Sequence, residues 1–108
     1  MVVIAAPAAA IGGWTVVPNP NPSVQANCLT SAVSISAKDA WAVGTEYQPT
    51  GSAGTLAEHW DGTQWTLVAS PNPSTEYDLL IGVTGLAGGD IWAVGQDEST
   101  LVIRRQDA

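Results

Sequence analysis

The tetrapeptide Trp41-Ala42-Val43-Gly44 returns 51 positions later as Trp92-Ala93-Val94-Gly95. The same shift places Pro20-Asn21-Pro22-Ser23 on Pro71-Asn72-Pro73-Ser74. It also aligns four single residues with their copies, namely Trp14 with Trp65, Val17 with Val68, Leu29 with Leu80 and Asp39 with Asp90. Self-similarity at one fixed period indicates a repeated supersecondary unit whose copies cannot bury their apolar faces alone.

Within each copy, short segments rich in Val, Ile, Thr and Trp alternate with turns of Gly, Pro, Asn and Asp. This composition is typical of strands, and no segment has the periodicity of a long helix. The pattern predicts an all-β fold with strands in the first copy at 29–36, 40–45, 55–60 and 64–69, and in the second at 80–87, 91–96 and 101–105. The second copy has no counterpart of 64–69.

The repeated tetrapeptide also indicates how the strands pack. Residues 40–43 and 91–94 carry no polar side chain on either face, so these strands need cover above and below. Stacked sheets supply such cover. Units of four strands that repeat about every 40 to 50 residues are the pattern of β-propeller blades.

The chain carries three motifs in this order: Ser/Gly-x-Asp-x-Trp-Ala-Val-Gly, Thr-Leu-x-Glu-His-Trp-Asp-Gly-x-x-Trp and Ser-Pro-Asn-Pro. In these motifs it resembles the tandem blades of bacterial, often secreted, kelch-like β-propeller repeat proteins. The resemblance covers residues 14–108. It implies two four-stranded blades per chain that complete a ring by oligomerisation, with Trp41, Trp65 and Trp92 in the blade cores. The second copy departs from the pattern at residues 104–107, Arg-Arg-Gln-Asp, where the first has His-Trp-Asp-Gly.

The stretch from Trp60 to Trp65, Trp-Asp-Gly-Thr-Gln-Trp, is similar to the W-D-G-x-x-W turn of two-blade fucose-binding lectins that assemble as trimers. Those lectins also use an arginine on the preceding strand, and the WAVG segment supplies none. The alternative is that Asp61 and Gly62 form a tight hairpin turn between two tryptophans that serve only in packing.

The missing strand of the second copy predicts how the chain is divided. Residues 13–18 match the end strand of the first copy but precede it, so we expect them to be donated to the last blade of a neighbour through Trp14, Val16 and Val17. Residues 19–71 would form the first blade and 72–108 the second, which lacks its own outermost strand. Residues 1–12 are interpreted as a remnant of a secretory signal peptide, which predicts a secreted protein, or as a local arm.

A ring of two blades cannot close, because propellers contain typically about four to eight blades. About three chains would give six blades and about four would give eight. By analogy we favour a homotrimer over a homotetramer. Two alternatives are that the chain is a fragment of a longer propeller, and that the open edge is protected in another way.

The net charge of −7, with Lys38, Arg104 and Arg105 as the basic residues, excludes a row of phosphate contacts and therefore nucleic acid. The same charge disfavours anionic membranes. The single Cys28 cannot form a disulfide within the chain. Sugars, cations and basic proteins remain as ligand classes.

In propeller geometry the turns between second and third strands lie on the same side as the connections between blades. This arrangement gathers acidic and aromatic ligand-binding candidates around one ring opening, namely Glu46, Tyr47, Glu76, Tyr77, Asp97 and Glu98, with Asp78 beside them. Such groups can bind a sugar by stacking and hydroxyl bonds, or a cation by carboxylates. The alternative is that they are solvated loop charges and packed tyrosines.

The sequence indicates no catalytic residues, no metal site and no cofactor. His59 is the only histidine and lacks spaced Cys or His partners for zinc, so we expect it to be structural. We therefore expect a non-catalytic propeller module for ligand or protein recognition. A multivalent carbohydrate-binding lectin is the alternative, and a hydrolase with its site at the ring opening is the least supported possibility.

Overall fold

The computed structural model describes residues 12–106, which form seven strands and no helix. The strands are β1 (Ala26–Ser36), β2 (Asp39–Tyr47), β3 (Ala53–Trp60), β4 (Trp65–Leu67), β5 (Leu79–Leu86), β6 (Asp90–Gln96) and β7 (Thr100–Arg105). Sheet 1 has the order β1-β2-β3-β4 and sheet 2 the order β5-β6-β7, with antiparallel pairing throughout. The predicted all-β fold is confirmed within these residues. The predictions for residues 1–11 and 107–108 lie outside them.

The glycine that ends each WAVG motif lies opposite a β-bulge. In sheet 1 the register of β1 against β2 shifts between Leu29 and Ser31, and in sheet 2 the equivalent shift falls between Leu80 and Gly82. The bulges bring a backbone carbonyl close to the facing strand. A Cβ atom on Gly44 would lie 1.8 Å from the carbonyl oxygen of Cys28, and the corresponding distance at Gly95 is 1.9 Å. Only glycine fits these positions.

Each sheet has two faces, because successive side chains of a strand point to opposite sides. We name as forward face the side that carries the WAVG tryptophan and as rear face the opposite side. The forward face of sheet 1 comprises Trp41, Val43, Ala57 and His59, and that of sheet 2 comprises Trp92, Val94, Val102 and Arg104. The rear face of sheet 1 includes Ala40, Ala42, Glu58 and Trp60, and that of sheet 2 includes Ile91, Ala93, Ile103 and Arg105.

The core lies where the forward face of sheet 1 packs against the rear face of sheet 2. Its buried members are Val43, Ala57, Leu80, Ala93 and Leu101. Two polar contacts join the sheets beside this cluster. The hydroxyl of Thr30 donates to the carbonyl oxygen of Leu80 at 2.7 Å, and the amide of Val83 donates to Oγ of Ser31 at 3.3 Å.

The fourth strand of sheet 1 is shorter than the predicted 64–69, because β4 pairs with β3 only over Trp65–Leu67. The amide of Val68 still donates to the carbonyl oxygen of Ala57 at 2.9 Å, and the chain then crosses to the gap between the sheets. Among the described residues, 13–18 belong to neither sheet, although Trp14 forms a single β-bridge. Trp14 is 82% exposed. The donation of 13–18 to another molecule remains a prediction.

Candidate functional site

The loops with the six predicted ligand-binding residues meet at one edge of the two sheets. The amide of Ala53 donates to the carbonyl oxygen of Glu76 at 2.9 Å, which joins the β2–β3 turn to the segment between the sheets. One hollow is lined by residues 50–52 with Thr75 and Glu76, and a second by residues 73–75 with Asp97 and Glu98. The fold therefore brings the acidic loops close together.

The six side chains do not form a connected cluster. Among residues 12–106, no hydrogen bond or ion pair joins one of these side chains to another. Oδ1 of Asp97 instead accepts hydrogen bonds from the amides of Glu98 and Ser99 at 2.8 and 3.0 Å, which closes its own turn. Glu46 is half-buried, while Tyr47, Glu76, Tyr77 and Glu98 are exposed. This edge is an acidic surface without a preorganised pocket.

Asp78, which the sequence placed beside these candidates, holds the backbone. It is almost fully buried and accepts a hydrogen bond from the amide of Ser74 at 3.0 Å. The first copy repeats this contact with Asn27 and the amide of Ser23, also at 3.0 Å. The repeated Pro-Asn-Pro-Ser motif therefore forms a turn that an Asx side chain closes.

A cleft of about 300 Å³ lies between the two sheets. Its apolar floor comes from both sheets and its rim from the connecting segment and the end of β7, with lining residues Trp41, Val43, Ala57, Val68, Ala69, Ser70, Pro71, Ile91, Ala93, Ile103, Arg104, Arg105 and Gln106. The guanidinium carbon of Arg105 lies 5.3 Å from the centre of the Trp41 ring. An aromatic ring with guanidinium, hydroxyl and amide groups suits a hydroxylated or anionic ligand.

The two WAVG tryptophans have equivalent neighbours of different chemistry. In sheet 1, Trp41 lies against the ring of His59, with centroids 4.6 Å apart, and Nε2 of His59 is 2.8 Å from Oδ1 of Asp39. In sheet 2, the guanidinium carbon of Arg104 lies 4.6 Å from the centre of the Trp92 ring. His59 therefore has a structural environment, and Arg104 occupies its position in the second copy.

Arg104 forms two hydrogen bonds with Asp90, from Nε to Oδ1 at 2.9 Å and from Nη2 to Oδ2 at 3.3 Å. The hydrogen bond from Arg104 holds the pKa of Asp90 below its ordinary value. Both side chains lie at the surface, on the uncovered forward face of sheet 2. On this face Trp92 is 39% exposed, whereas Trp41 is 7% exposed.

A second hollow, of about 400 Å³, lies on the rear face of sheet 1. Its lining is mostly apolar and includes two residues of the segment that enters sheet 1: Val17, Asn19, Leu29, Ser31, Ala32, Ala42, Glu58 and Trp65. Glu58 is 0% exposed. Oε1 of Glu58 accepts a hydrogen bond from Nδ2 of Asn19 at 3.0 Å, and Oε2 has no partner within residues 12–106. Burial raises the pKa of Glu58 above its ordinary value, and the bond from Asn19 offsets part of that effect.

The W-D-G-x-x-W stretch forms the β3–β4 turn. Oδ1 of Asp61 accepts hydrogen bonds from the amides of Thr63 and Gln64 at 2.8 and 2.9 Å, and Gly62 has a φ of 101°. The Trp60 and Trp65 rings pack with centroids 5.7 Å apart. These contacts are those of the tight hairpin turn that the sequence offered as the alternative to a sugar site.

Sequence reasoning missed both the cleft and the rear-face hollow. A comparison of matching positions in the two sheets indicates the hollow, because Glu58 of sheet 1 occupies the position that Ile103 has in sheet 2. A carboxylate at a position that is apolar in the other copy identifies an unusual site. The cleft depends on how the two sheets pack, which no spacing within one strand reveals.

Comparison with protein-family models, with curated proteins and with solved structures gives no match to this chain. Within residues 12–106, no three His, Cys, Asp or Glu side chains are grouped so that they could hold a metal ion. In the same stretch, no helix is long and apolar enough to cross a membrane. The geometry of the sheets and their faces therefore carries the functional inference.

Proposed function

We propose that the chain is a non-catalytic β-propeller module whose copies join head to tail into a ring for ligand or protein recognition. In this proposal each sheet is one blade, and the loops of several blades gather at the ring opening. The resemblance to secreted repeat proteins, together with the apolar residues 1–10, supports an extracellular setting.

The observation that carries this proposal is the polarity of the contact between the sheets. The forward face of sheet 1 packs against the rear face of sheet 2, so the contact uses two different surfaces. Two faces remain uncovered, the forward face of sheet 2 and the rear face of sheet 1. The first exposes Trp92, Val94 and Val102, and the second carries the hollow. A contact between unlike surfaces repeats head to tail and generates a ring when the rotation closes.

The register of sheet 1 indicates how the entering segment would add to a neighbour. In β4, Trp65, Thr66 and Leu67 pair with Trp60, His59 and Glu58 respectively. The repeat places Trp14, Thr15 and Val16 at the β4 positions, and it places Arg105, Arg104 and Ile103 at the β3 positions. A donated segment would therefore cover the open edge of β7, an edge that otherwise favours uncontrolled pairing.

The number of copies follows from the usual size of propellers. Three copies would supply about six blades and four would supply about eight, both within the usual range. We favour three, because the two-blade lectins that this chain resembles in organisation assemble as trimers.

The cleft between the sheets supports a second candidate function, carbohydrate binding. Arg105 and Gln106 lie at the rim together with Ser70, and Trp41 contributes an aromatic surface. Hydroxyl groups accept bonds from guanidinium and amide groups, while the apolar face of a sugar packs on an aromatic ring. A ring would carry one such cleft per chain, and several weak identical sites gain avidity on a multivalent surface.

The test of the ring is the mass of the wild-type protein in solution, measured by light scattering after size-exclusion chromatography. We expect three or four times the chain mass of 11.1 kDa, without intermediate species at micromolar concentration. A monomer at every concentration up to the solubility limit contradicts the proposal.

A glycan array with the wild-type protein then decides between the two candidates. Binding that is lost in the Arg105→Ala variant favours the lectin, with Lys38→Ala as the control for loss of a positive charge elsewhere. An oligomer that binds no glycan supports a module for protein recognition.

A further inference from the structure

We infer that the hollow on the rear face of sheet 1 is a docking site for sheet 2 of a second copy, whose Arg104 binds the carboxylate of Glu58. This inference rests on the proposed ring and names the contact that forms each junction. Glu58 lines the hollow, and among residues 12–106 one oxygen of its fully buried carboxylate has no hydrogen-bond partner, which the second copy would supply.

Glu58 differs in polarity from the residue at the matching position of the other sheet. Its equivalent in sheet 2, Ile103, packs against the apolar core. Burial of an unpaired carboxylate oxygen is costly unless a donor reaches it. The neutral amide of Asn19 satisfies one oxygen only. The missing partner is therefore a donor, and a positively charged donor matches the carboxylate best.

The packing within the chain provides the template for the junction. Ile103 lies against the cluster that contains Val43 and Ala57, and Arg105 lies over the ring of Trp41. If the rear face of sheet 1 packs in the same way on the forward face of sheet 2 of the second copy, Glu58 lies against Val94 and Val102 of that copy. The same shift places Trp60 against the ring of Trp92 of that copy, so two tryptophans replace the Arg105–Trp41 contact.

Arg104 of the second copy lies within reach of Glu58 in this arrangement. It stands two residues beyond Val102 on the same face, which is about 7 Å along the strand, and packed sheets lie about 10 Å apart. A long arginine side chain and a glutamate side chain together span such a separation. The guanidinium already lies over Trp92, so it is held at the face that would dock.

The other positive charges of the chain are not placed for this role. Lys38 lies in the β1–β2 turn, where its side chain approaches Gly62. Arg105 points to the rear face of sheet 2, over Trp41 of its own chain. Arg104 alone lies on the forward face of sheet 2. On the docking face Arg104 is paired with Asp90 of its own chain, and its guanidinium is the positive group that would meet the carboxylate in the hollow.

The first test compares single and double apolar variants by sedimentation equilibrium. Removing one partner of a buried ion pair leaves the other charge uncompensated, so Glu58→Leu and Arg104→Leu should each weaken association about 100-fold. The double variant Glu58→Leu/Arg104→Leu should recover much of that loss, because the buried carboxylate that needs a donor is then absent, while Asp90 stays at the surface. Lys38→Leu is the matched control and should leave association unchanged. The inference is overturned if the single variants associate as tightly as the wild type. It is also overturned if the double variant loses the sum of the association free energies that the single variants lose.

The second test exchanges the charges between two chains. Glu58→Arg and Arg104→Glu each place like charges at a junction between identical chains, so each variant alone should dissociate. An equimolar mixture should associate again, because every junction between unlike variants is matched. In an even-numbered ring all junctions can be matched, whereas a ring of three retains one mismatch. A mixture in which the two variants form no complex with each other, although both unfold at temperatures near wild type, overturns the inference.

The pH dependence gives a third readout. Among the described residues, Glu58 is the only titratable one that lines the hollow, and in the inferred junction Arg104 and Asp90 of the second copy would face it. With the ion pair, association weakens as acid protonates Glu58. If association strengthens in acid, a neutral Glu58 packs against Val94 and Val102 without Arg104. That result overturns the inference and leaves the proposed ring intact. A wild-type monomer contradicts the ring itself.

Discussion

The carbonyl oxygen of Cys28 occupies the space that a Cβ atom on Gly44 would need, at a distance of 1.8 Å. The same relationship at Gly95 and Leu79, at 1.9 Å, shows that both sheets are built on one backbone plan. The glycine of each WAVG motif is therefore required by a bulge in the neighbouring strand, whereas the tryptophan of the motif serves different contacts in the two copies.

Gly44→Ala should destabilise the chain by about 3 kcal/mol, because rigid backbone atoms must move to admit the methyl group. Urea denaturation at constant protein concentration measures the change in the free energy of unfolding. Gly82→Ala is the control, since its nearest contact is a side-chain methyl of Val94 at 3.4 Å. Equal stability of the two variants would show that the bulge relaxes at little cost.

Leu80→Ala should lower the free energy of unfolding by about 2 to 5 kcal/mol, because it opens a cavity in the core between the sheets. Leu80 is fully buried in the cluster that also contains Val43 and Ala93. Leu86→Ala, at an exposed position in the same strand, should change stability by less than about 0.5 kcal/mol. Similar effects at both positions would mean that the two sheets do not pack as a unit.

Glu58 should make the separate chain more stable as the pH falls from 7 toward 4.5, its ordinary pKa. The folded chain holds the proton more tightly than the unfolded chain, so stability is gained below the raised pKa and lost above it. We expect the Trp14→Ala variant to stay a single chain, and its denaturation measures this slope. Adding Glu58→Gln should flatten it and raise stability at pH 7. A slope that persists without Glu58 assigns it to other groups.

Asp61 should stabilise the β3–β4 turn at neutral pH and lose this effect in acid. Hydrogen bonds from the amides of Gln64 and Thr63 hold its pKa below the ordinary 3.8. The stability that depends on its charge is present above pH 3.8 and is lost as the pH falls through the lowered value. The difference in unfolding temperature between wild type and Asp61→Ala should therefore narrow in this acid range. A constant difference would indicate a contribution that does not depend on charge.

Trp14→Ala should separate the chains, at a cost of about 3 to 5 kcal/mol per junction, because a large exposed ring loses its partner surface. Light scattering should then give the mass of a single chain. Val24→Ala changes another exposed residue of the same connecting region and should retain the wild-type mass. An unchanged mass for Trp14→Ala would count against donation of residues 13–18.

The positions of the strands could be predicted because period-two apolar segments and turn residues act locally. β2, β6 and β7 match their predictions to within a few residues. The end of β4 could not be predicted, since residues 68–71 turn toward the gap between the sheets. That turn depends on the position of sheet 2.

The candidate site was less predictable than the fold. The sequence indicated that Glu76, Asp97 and Glu98 belong to neighbouring loops, and these loops do adjoin. It could not show that Asp97 caps its own turn, because that depends on which amides the loop leaves available. Glu58 was missed for a similar reason. The alternation of side chains along a strand shows on which face a residue lies, but it does not show what covers that face.

The difference between Ile103 and Glu58 at matching positions predicts an order of folding and assembly. The contact inside the chain is sealed by a hydrocarbon side chain and can form as soon as both sheets exist. In the proposed ring the outward contact also needs Arg104 of a second copy, so we expect growth of the assembly to start only from folded chains.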